Sequence, residues 1–210
     1  PANVFRASLY LWDLHNYAGQ SSHSCIGLLY SSFWAFFKWV GLSLVYIQML
    51  WFLVIAIVSG LAMYYLVLTV AEGKNYYVAA LIAAVFYVFN LFTTLLSPIT
   101  PAYVALLMTT PFILGLFIEG LSNPQRIRRN AILIGMAFSF SAISFHNLPL
   151  VGILLITYLI YHLITKRKSL LFYLSFVFYN IIIVCLINMW FIAPIIYSIF
   201  GPSKLALGAG

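Results

Sequence analysis

Charged side chains are scarce in this sequence. Only ten Lys or Arg and three Asp or Glu occur in 210 residues, and they make up 6% of the chain, whereas soluble domains carry roughly 25% charged residues. Because acids are the scarcest, the chain has no ladder of carboxylates of the kind that an ion-driven pump needs. The net charge of +7 reflects this lack of acids, and without a basic stripe the composition argues against nucleic-acid binding.

Cysteines and metal-binding motifs are also few. The two cysteines, Cys25 and Cys185, lie in a polar N-terminal region and in an apolar run, so we expect neither a disulfide nor a metal site from them. The sequence has no Walker motif, no HExxH and no paired histidines for haem. We therefore predict no metal-ligand residues, although the sequence leaves open whether a divalent metal assists the protein.

Long apolar runs fill the rest of the chain. Apolar residues make up 65% of the sequence, the mean hydropathy is +1.08, and most charges lie in short breaks between the runs. A charge in the middle of a bilayer is costly, so this distribution is typical of a chain surrounded by lipid. The sequence predicts an all-α, polytopic integral membrane protein.

The apolar runs divide the chain into three parts. Residues 1–42 are predicted as an external loop that includes an interfacial helix from Cys25 to Val40, since that run is too short to span a bilayer. Residues 43–200 are predicted as a six-helix transmembrane domain, and residues 201–210 as an external tail. The six spans are predicted at 43–70, 76–96, 102–120, 130–145, 150–165 and 169–191. The ends of the sequence are those expected of a piece of a longer protein.

Basic residues mark alternate loops and predict the orientation in the membrane. Lys74, Arg126–Arg129 and Lys166–Lys168 fall in every second break, and the positive-inside rule places these loops in the cytoplasm. The N-terminal segment and the loop around His146 are then outside. Glu119 is expected to pair with Arg126 or Arg128.

Asp13 is the one acid on the predicted outer side. It lies in a polar segment with His15, Asn16 and Gln20, where a carboxylate at a lipid–water boundary could act as a general base or bind a sugar. The alternative is a loop acid that caps a turn or pairs with Arg6. Arg6 itself suits a lipid phosphate, although ordinary snorkelling explains it equally well.

His146 and Asn147 form a second polar group on the same side. The predicted helices before and after them are about 16 residues long and reach about 24 Å each, less than the roughly 30 Å of hydrocarbon. Their connecting turn is therefore expected below the outer surface, as the floor of a cavity shared with Asp13. The alternative is a helix-capping turn.

Several segments of the first ninety residues occur in a recognisable order. Phe5, Leu9, Trp12 and Gly19–Gln20 precede the interfacial helix, and Gln48–Trp51, Gly60–Leu66 and Ala79–Asn90 follow it. This order is similar to the membrane domain of alpha-(1→3)-arabinofuranosyltransferases and their bacterial and archaeal relatives, which belong to the GT-C glycosyltransferases.

The resemblance implies a GT-C-like membrane enzyme. Such enzymes take a sugar from a polyprenyl-phosphate donor on the outer face and transfer it to a cell-surface glycan or glycoprotein. A carboxylate in the first external loop is the base, and a cation near the membrane holds the donor phosphate. By position that loop corresponds to the segment with Asp13, although the family's acid lies further upstream, next to the first helix.

These considerations give one predicted site and two alternatives to an enzyme. Asp13 is the predicted catalytic residue, and the residues predicted to bind the donor or acceptor are Arg6, His15, Asn16, Gln20, His146 and Asn147. The predicted partners are membrane lipid, the lipid-linked sugar and other membrane subunits. The alternatives are a non-catalytic subunit that anchors a larger assembly, and a transporter or flippase of lipid-linked sugars.

Overall fold

The computed structural model describes residues 12–13, 20–21, 28–71, 76–90, 101–141, 148–166, 170–190, 192–193 and 196. Apart from one short pair of strands, these residues are helical, and the predicted all-α class is confirmed. The elements are β1 (Trp12–Asp13), β2 (Gln20–Ser21), α1 (Leu28–Trp39), α2 (Leu44–Val70), α3 (Tyr76–Phe89), α4 (Pro101–Ser122), a 3₁₀ turn (Pro124–Arg126), α5 (Ile127–Ser141), α6 (Leu148–Lys166) and α7 (Leu170–Ile187).

The chain divides into two compact units, residues 1–47 with 188–210, and residues 48–187. In the first unit β1 pairs antiparallel with β2, so that Trp12 lies opposite Ser21 and Asp13 opposite Gln20. The segment was predicted as a loop, and this pairing corrects that prediction for four residues.

Helix α1 of the first unit is aromatic and ends at a glycine. The rings of Phe33 and Phe37 meet edge to face, with 4.8 Å between their centroids. Gly41 has a φ of 96°, and its N–H donates to the carbonyl oxygen of Lys38 at 3.0 Å. This left-handed glycine ends the helix. A helix is thus confirmed within the predicted range 25–40, from Leu28 to Trp39, and its interfacial position stays a prediction.

The core of the second unit lies among α4, α5, α6 and α7. Its buried members include Phe117, Ile134, Val151, Tyr173 and Phe176, which come from all four helices. The rings of Phe117 and Phe176 contact edge to face at 5.0 Å. Side chains far apart in sequence thus hold these helices together.

Small residues allow α2 to approach α3 closely. A Cβ placed on Gly60 would lie 3.3 Å from Cγ2 of Val88, and Ser59 and Ala62 beside it are buried. A side chain larger than glycine at position 60 would therefore push the two helices apart.

The helix boundaries differ from the prediction at the arginine-rich break. Asn123 accepts a hydrogen bond from the backbone N–H of Gln125 through Oδ1, and Pro124 occupies the first position of the 3₁₀ turn. Because this turn is tight, α5 begins at Ile127 and not at Asn130. Arg128 and Arg129 therefore lie in the first turn of a helix, where the sequence predicted a loop.

The predicted turn His146–Pro149 is also corrected. Helix α6 begins at Leu148 and contains 19 residues, since proline is compatible with the first turn of a helix. It reaches about 28 Å, close to the thickness of the hydrocarbon layer. The length argument for a recessed turn therefore fails for this helix. His146 and Asn147 lie outside the described residues.

Two described helices, α2 and the 18-residue stretch Pro149–Lys166 of α6, are long and apolar enough to cross a membrane. Shorter apolar stretches occur at Tyr76–Phe89, Met108–Ser122 and Leu171–Ile187. Of the six predicted spans, α2 matches its prediction within one residue.

Gly115→Ala should destabilise the protein. The new Cβ would lie 2.8 Å from Cε1 of Tyr65 and 3.4 Å from Cα of Leu66, and the Tyr65 hydroxyl is bonded to Glu119, so the ring cannot move away without breaking that bond. We expect the free energy of unfolding to fall by about 1–2 kcal/mol in a denaturant titration.

The matched control is Gly152→Ala. A Cβ at Gly152 meets nothing within 4 Å, so this helical substitution should raise stability by about 0.5–1 kcal/mol. Equal effects of the two substitutions would contradict the close packing of α4 against α2.

Candidate functional sites

The strand pair brings two predicted site residues together. Asp13 and Gln20 are Cα partners across the β1–β2 ladder, although six residues separate them in sequence. The other residues predicted for this site, Arg6, His15 and Asn16, lie outside the described residues, as do His146 and Asn147. For the predicted catalytic site, the structure therefore gives the backbone pairing of Asp13 with Gln20.

A second polar site, the Glu119 cluster, consists of Tyr65, Glu119, Arg126, Arg129 and Asn130. Arg126 forms an ion pair with Oε1 of Glu119, and Nη2 of Arg129 lies 2.9 Å from Oε2. The Tyr65 hydroxyl donates to Oε2 at 2.9 Å, and Nδ2 of Asn130 donates to it at 3.0 Å. One carboxylate thus connects α2, α4 and α5.

Asn130 is the most enclosed member of the cluster. Its side chain is 1% exposed, and Nδ2 also donates to the carbonyl oxygen of Leu116 at 2.9 Å. Its Oδ1 accepts from Nε of Arg129 at 3.2 Å. A buried amide needs such partners because an unmade hydrogen bond is costly, so Asn130 fixes α5 against α4.

Burial divides the cluster into an enclosed and an open part. The side chain of Glu119 is 16% exposed, whereas those of Arg126 and Arg129 are 51% and 55% exposed. The carboxylate accepts four donors, so it has little capacity left to take a proton from a substrate. The guanidinium groups still have free N–H directions that face outward. The cluster is therefore a structural clamp with a basic outer face.

The sequence predicted part of this cluster. The pairing of Glu119 with Arg126 is confirmed, and Arg129 takes the second place that was predicted for Arg128. Sequence reasoning missed Tyr65, because nothing local shows a contact between residues 54 positions apart. Asn130 could have been found from the sequence, because it is an amide residue directly after the arginines at the start of an apolar run. It was interpreted only as the first residue of a span.

Single polar residues in apolar helices commonly form hydrogen bonds to a neighbouring helix. His162 of α6 does so, since its Nδ1 lies 2.9 Å from the hydroxyl of Tyr173 in α7. Asn180 does not: Nδ2 donates to Phe176 of its own helix at 2.8 Å. Within the part of the chain that the structure describes, Oδ1 of Asn180 has no partner.

Asn180 also lines a cavity of about 350 Å³ among α4, α5, α6 and α7. The rest of the lining is apolar, apart from the thiol of Cys185, which is free. The described residues contain no group of three His, Cys, Asp or Glu side chains that could hold a metal ion. This cavity therefore offers space for an apolar group.

Comparisons with protein-family models, with curated proteins and with solved structures find no match for this chain.

Proposed function

We propose that this chain is a multi-pass membrane protein of the cell membrane that transfers a sugar from a polyprenyl-phosphate donor on the extracytoplasmic side. The acceptor would be a cell-surface glycan or glycoprotein. The proposal has two parts, the membrane placement and the chemistry at Asp13, and different observations support them.

Exposed apolar faces support the membrane placement. Only 17% of the apolar stretch of α2 and 11% of that of α6 are buried, whereas a core helix of a soluble protein is mostly enclosed. Large side chains such as Phe86, Phe178 and Leu171 point away from the protein. Apolar surface of this extent is typical of contact with lipid or with another membrane helix.

The alternation of basic breaks supports the orientation. If α2 to α7 each cross the membrane, Lys74, Arg126–Arg129 and Lys166–Lys168 all lie on one side, and the positive-inside rule makes that side cytoplasmic. Asp13 and the loop around His146 then share the outer side.

The observation that carries the proposed chemistry is the pairing of Asp13 with Gln20. The chain has three acids. The carboxylate of Glu119 already accepts four hydrogen bonds within its cluster, and Glu72 lies in the break that contains Lys74. Asp13 therefore remains as the carboxylate available on the outer side. Its backbone partner across the ladder is Gln20, a residue type whose amide commonly binds sugars.

In the proposed reaction an acceptor hydroxyl attacks the anomeric carbon of the donor sugar. Asp13 takes the hydroxyl proton as the new C–O bond forms. The bond between the anomeric carbon and the phosphate oxygen breaks, and polyprenyl phosphate leaves as an anion. Arg6 would stabilise that charge, and His15, Asn16, His146 and Asn147 would hold the sugars.

The test is sugar transfer by the purified chain in proteoliposomes. Donors are a panel of polyprenyl-phosphate pentoses and hexoses labelled in the sugar, and the acceptor is a cell-surface glycan extract. The proposal expects labelled glycan together with stoichiometric release of polyprenyl phosphate. Donor that remains intact with every sugar and acceptor, in vesicles where the chain is folded, would contradict it.

Helix α3 favours one alternative, a non-catalytic subunit that anchors an assembly. Leu81, Ile82, Val85, Phe86 and Phe89 form an exposed apolar face on this helix. Such a face can pack against a helix of a partner as well as against lipid. Co-purification of a second membrane protein whose loss follows Phe86→Ala, without any sugar transfer, would favour this function.

A further inference from the structure

A long apolar groove runs between α2, α4 and α5. It is a cavity of about 530 Å³, lined among others by Val54, Leu61, Tyr65, Phe112, Leu133 and Met136. Among the described residues of its lining, Tyr65 and Thr109 are polar and the others are apolar. We call it the α2–α4–α5 groove.

The groove has the length of one membrane leaflet. From Val54 to Tyr65 along α2 it extends roughly 16 Å, at about 1.5 Å per residue. Half of the hydrocarbon layer is about 15 Å thick. A single acyl chain of one leaflet therefore matches its length.

One end of the groove meets the Glu119 cluster. Tyr65, in the lining, donates to Glu119, and the same carboxylate binds Arg126 and Arg129. Leu133 of the lining lies one helical turn beyond Arg129 on α5. The apolar groove thus ends where the basic outer face of the cluster begins.

This end carries excess positive charge. Arg128 is exposed, and the two ion pairs given for Glu119 join it to Arg126 and Arg129. Arg126, Arg128 and Arg129 together carry three positive charges, and Glu119 offsets one of them. Guanidinium groups bind phosphate through paired hydrogen bonds, and the N-terminus of α5, at the same place, adds a partial positive charge.

We propose that the α2–α4–α5 groove binds one anionic phospholipid of the cytoplasmic leaflet. An acyl chain fills the groove, and the phosphate lies against Arg126 and Arg129, while the neighbouring Arg128 adds positive charge at the membrane surface. The arginines favour an anionic headgroup, and the groove binds an acyl chain that is attached to it. A free anion would bind only to the arginines, and a neutral lipid only to the groove. The inference rests on the proposed membrane placement and is independent of sugar transfer.

Native mass spectrometry of the whole chain in neutral micelles tests this site, with phosphatidylglycerol and phosphatidylcholine as probes. We expect one phosphatidylglycerol to bind more tightly than phosphatidylcholine. Arg128→Gln should weaken phosphatidylglycerol binding roughly fivefold, the effect of one arginine at a membrane surface, and leave phosphatidylcholine binding unchanged. Inorganic phosphate at equal concentration should not displace the lipid.

A pair of tryptophan variants tests the groove itself. Met136 lines the groove and is exposed, whereas Ile132 is exposed on the same helix but outside the lining. Met136→Trp should therefore abolish tight phosphatidylglycerol binding, and Ile132→Trp should retain it. Thermal unfolding in the same micelles identifies any variant that fails to fold.

Four results would overturn the proposal. These are equal binding of the two lipids, unchanged binding by Arg128→Gln, displacement by inorganic phosphate alone, and equal effects of the two tryptophans. A stable dimer that excludes the lipid would do the same, because a second copy would then occupy the groove. Recovery of the chain in the carbonate-soluble fraction of cells would also overturn the proposed membrane placement. Selective lipid binding without any sugar transfer would overturn only the proposed glycosyltransferase activity.

Discussion

Asp13→Asn should lower sugar transfer by about 10²–10⁴-fold, the usual contribution of a general base. Asparagine has nearly the shape of aspartate but cannot accept the proton of the attacking hydroxyl. The backbone pairing of residue 13 with Gln20 needs no carboxylate, so the melting temperature should stay within a degree or so of the parent value. The measurement is the initial rate of labelled glycan formation in proteoliposomes.

Glu72→Gln is the matched control for Asp13. It removes one of the other two acids of the chain, and in the proposed orientation its position beside Lys74 lies on the cytoplasmic side. The rate of sugar transfer by Glu72→Gln should equal that of the parent protein. If Asp13→Asn retains full transfer, the base is elsewhere and the site proposed here is wrong.

Glu119→Ala should lower the free energy of unfolding by about 2 kcal/mol. Arg126 and Arg129 are half exposed and regain water, so their ion pairs contribute little. Most of the loss comes from the buried amide of Asn130 and the hydroxyl of Tyr65, which lose an acceptor. For a chain of this size the melting temperature should fall by about 4–8 °C in neutral detergent.

Two variants separate the clamp from a general effect of charge. Glu119→Gln keeps an oxygen acceptor and should lose about half as much stability. Arg128→Gln removes a charge of the same cluster region that has no ion pair among the described residues, and should leave stability unchanged. Equal stability of Glu119→Ala and the parent would show that the cluster does not hold α2, α4 and α5 together.

The sequence predicted the fold best where an apolar run is bounded by clear breaks. Helix α2 was predicted from residue 43 to 70 and observed as Leu44–Val70, since the composition changes abruptly at both ends of this long apolar run. The starts of α5 and α6 were wrong because Arg128, Arg129 and Pro149 were interpreted as loop residues. Arginines and proline are all compatible with the first turn of a helix.

The polar sites were less predictable because they depend on tertiary contacts. The pair of Glu119 and Arg126 was predictable, since the two residues lie seven positions apart in sequence, near one short turn. Tyr65 was not, because it reaches the cluster from another helix. The pairing of Asp13 with Gln20 was missed because two-residue strands carry no recognisable alternation of apolar and polar side chains. Arg6, His15, Asn16, His146 and Asn147 stay predictions.

Sidedness is the claim on which the proposed function depends, and cysteine labelling measures it directly. In a background with Cys25→Ser and Cys185→Ser, single substitutions Leu14→Cys and Arg128→Cys are treated with a membrane-impermeant maleimide on intact cells. Leu14→Cys should react at once, and Arg128→Cys only after the cells are permeabilised. If both positions react from the same side, Asp13 and the arginine cluster share one face of the membrane, and the account is contradicted.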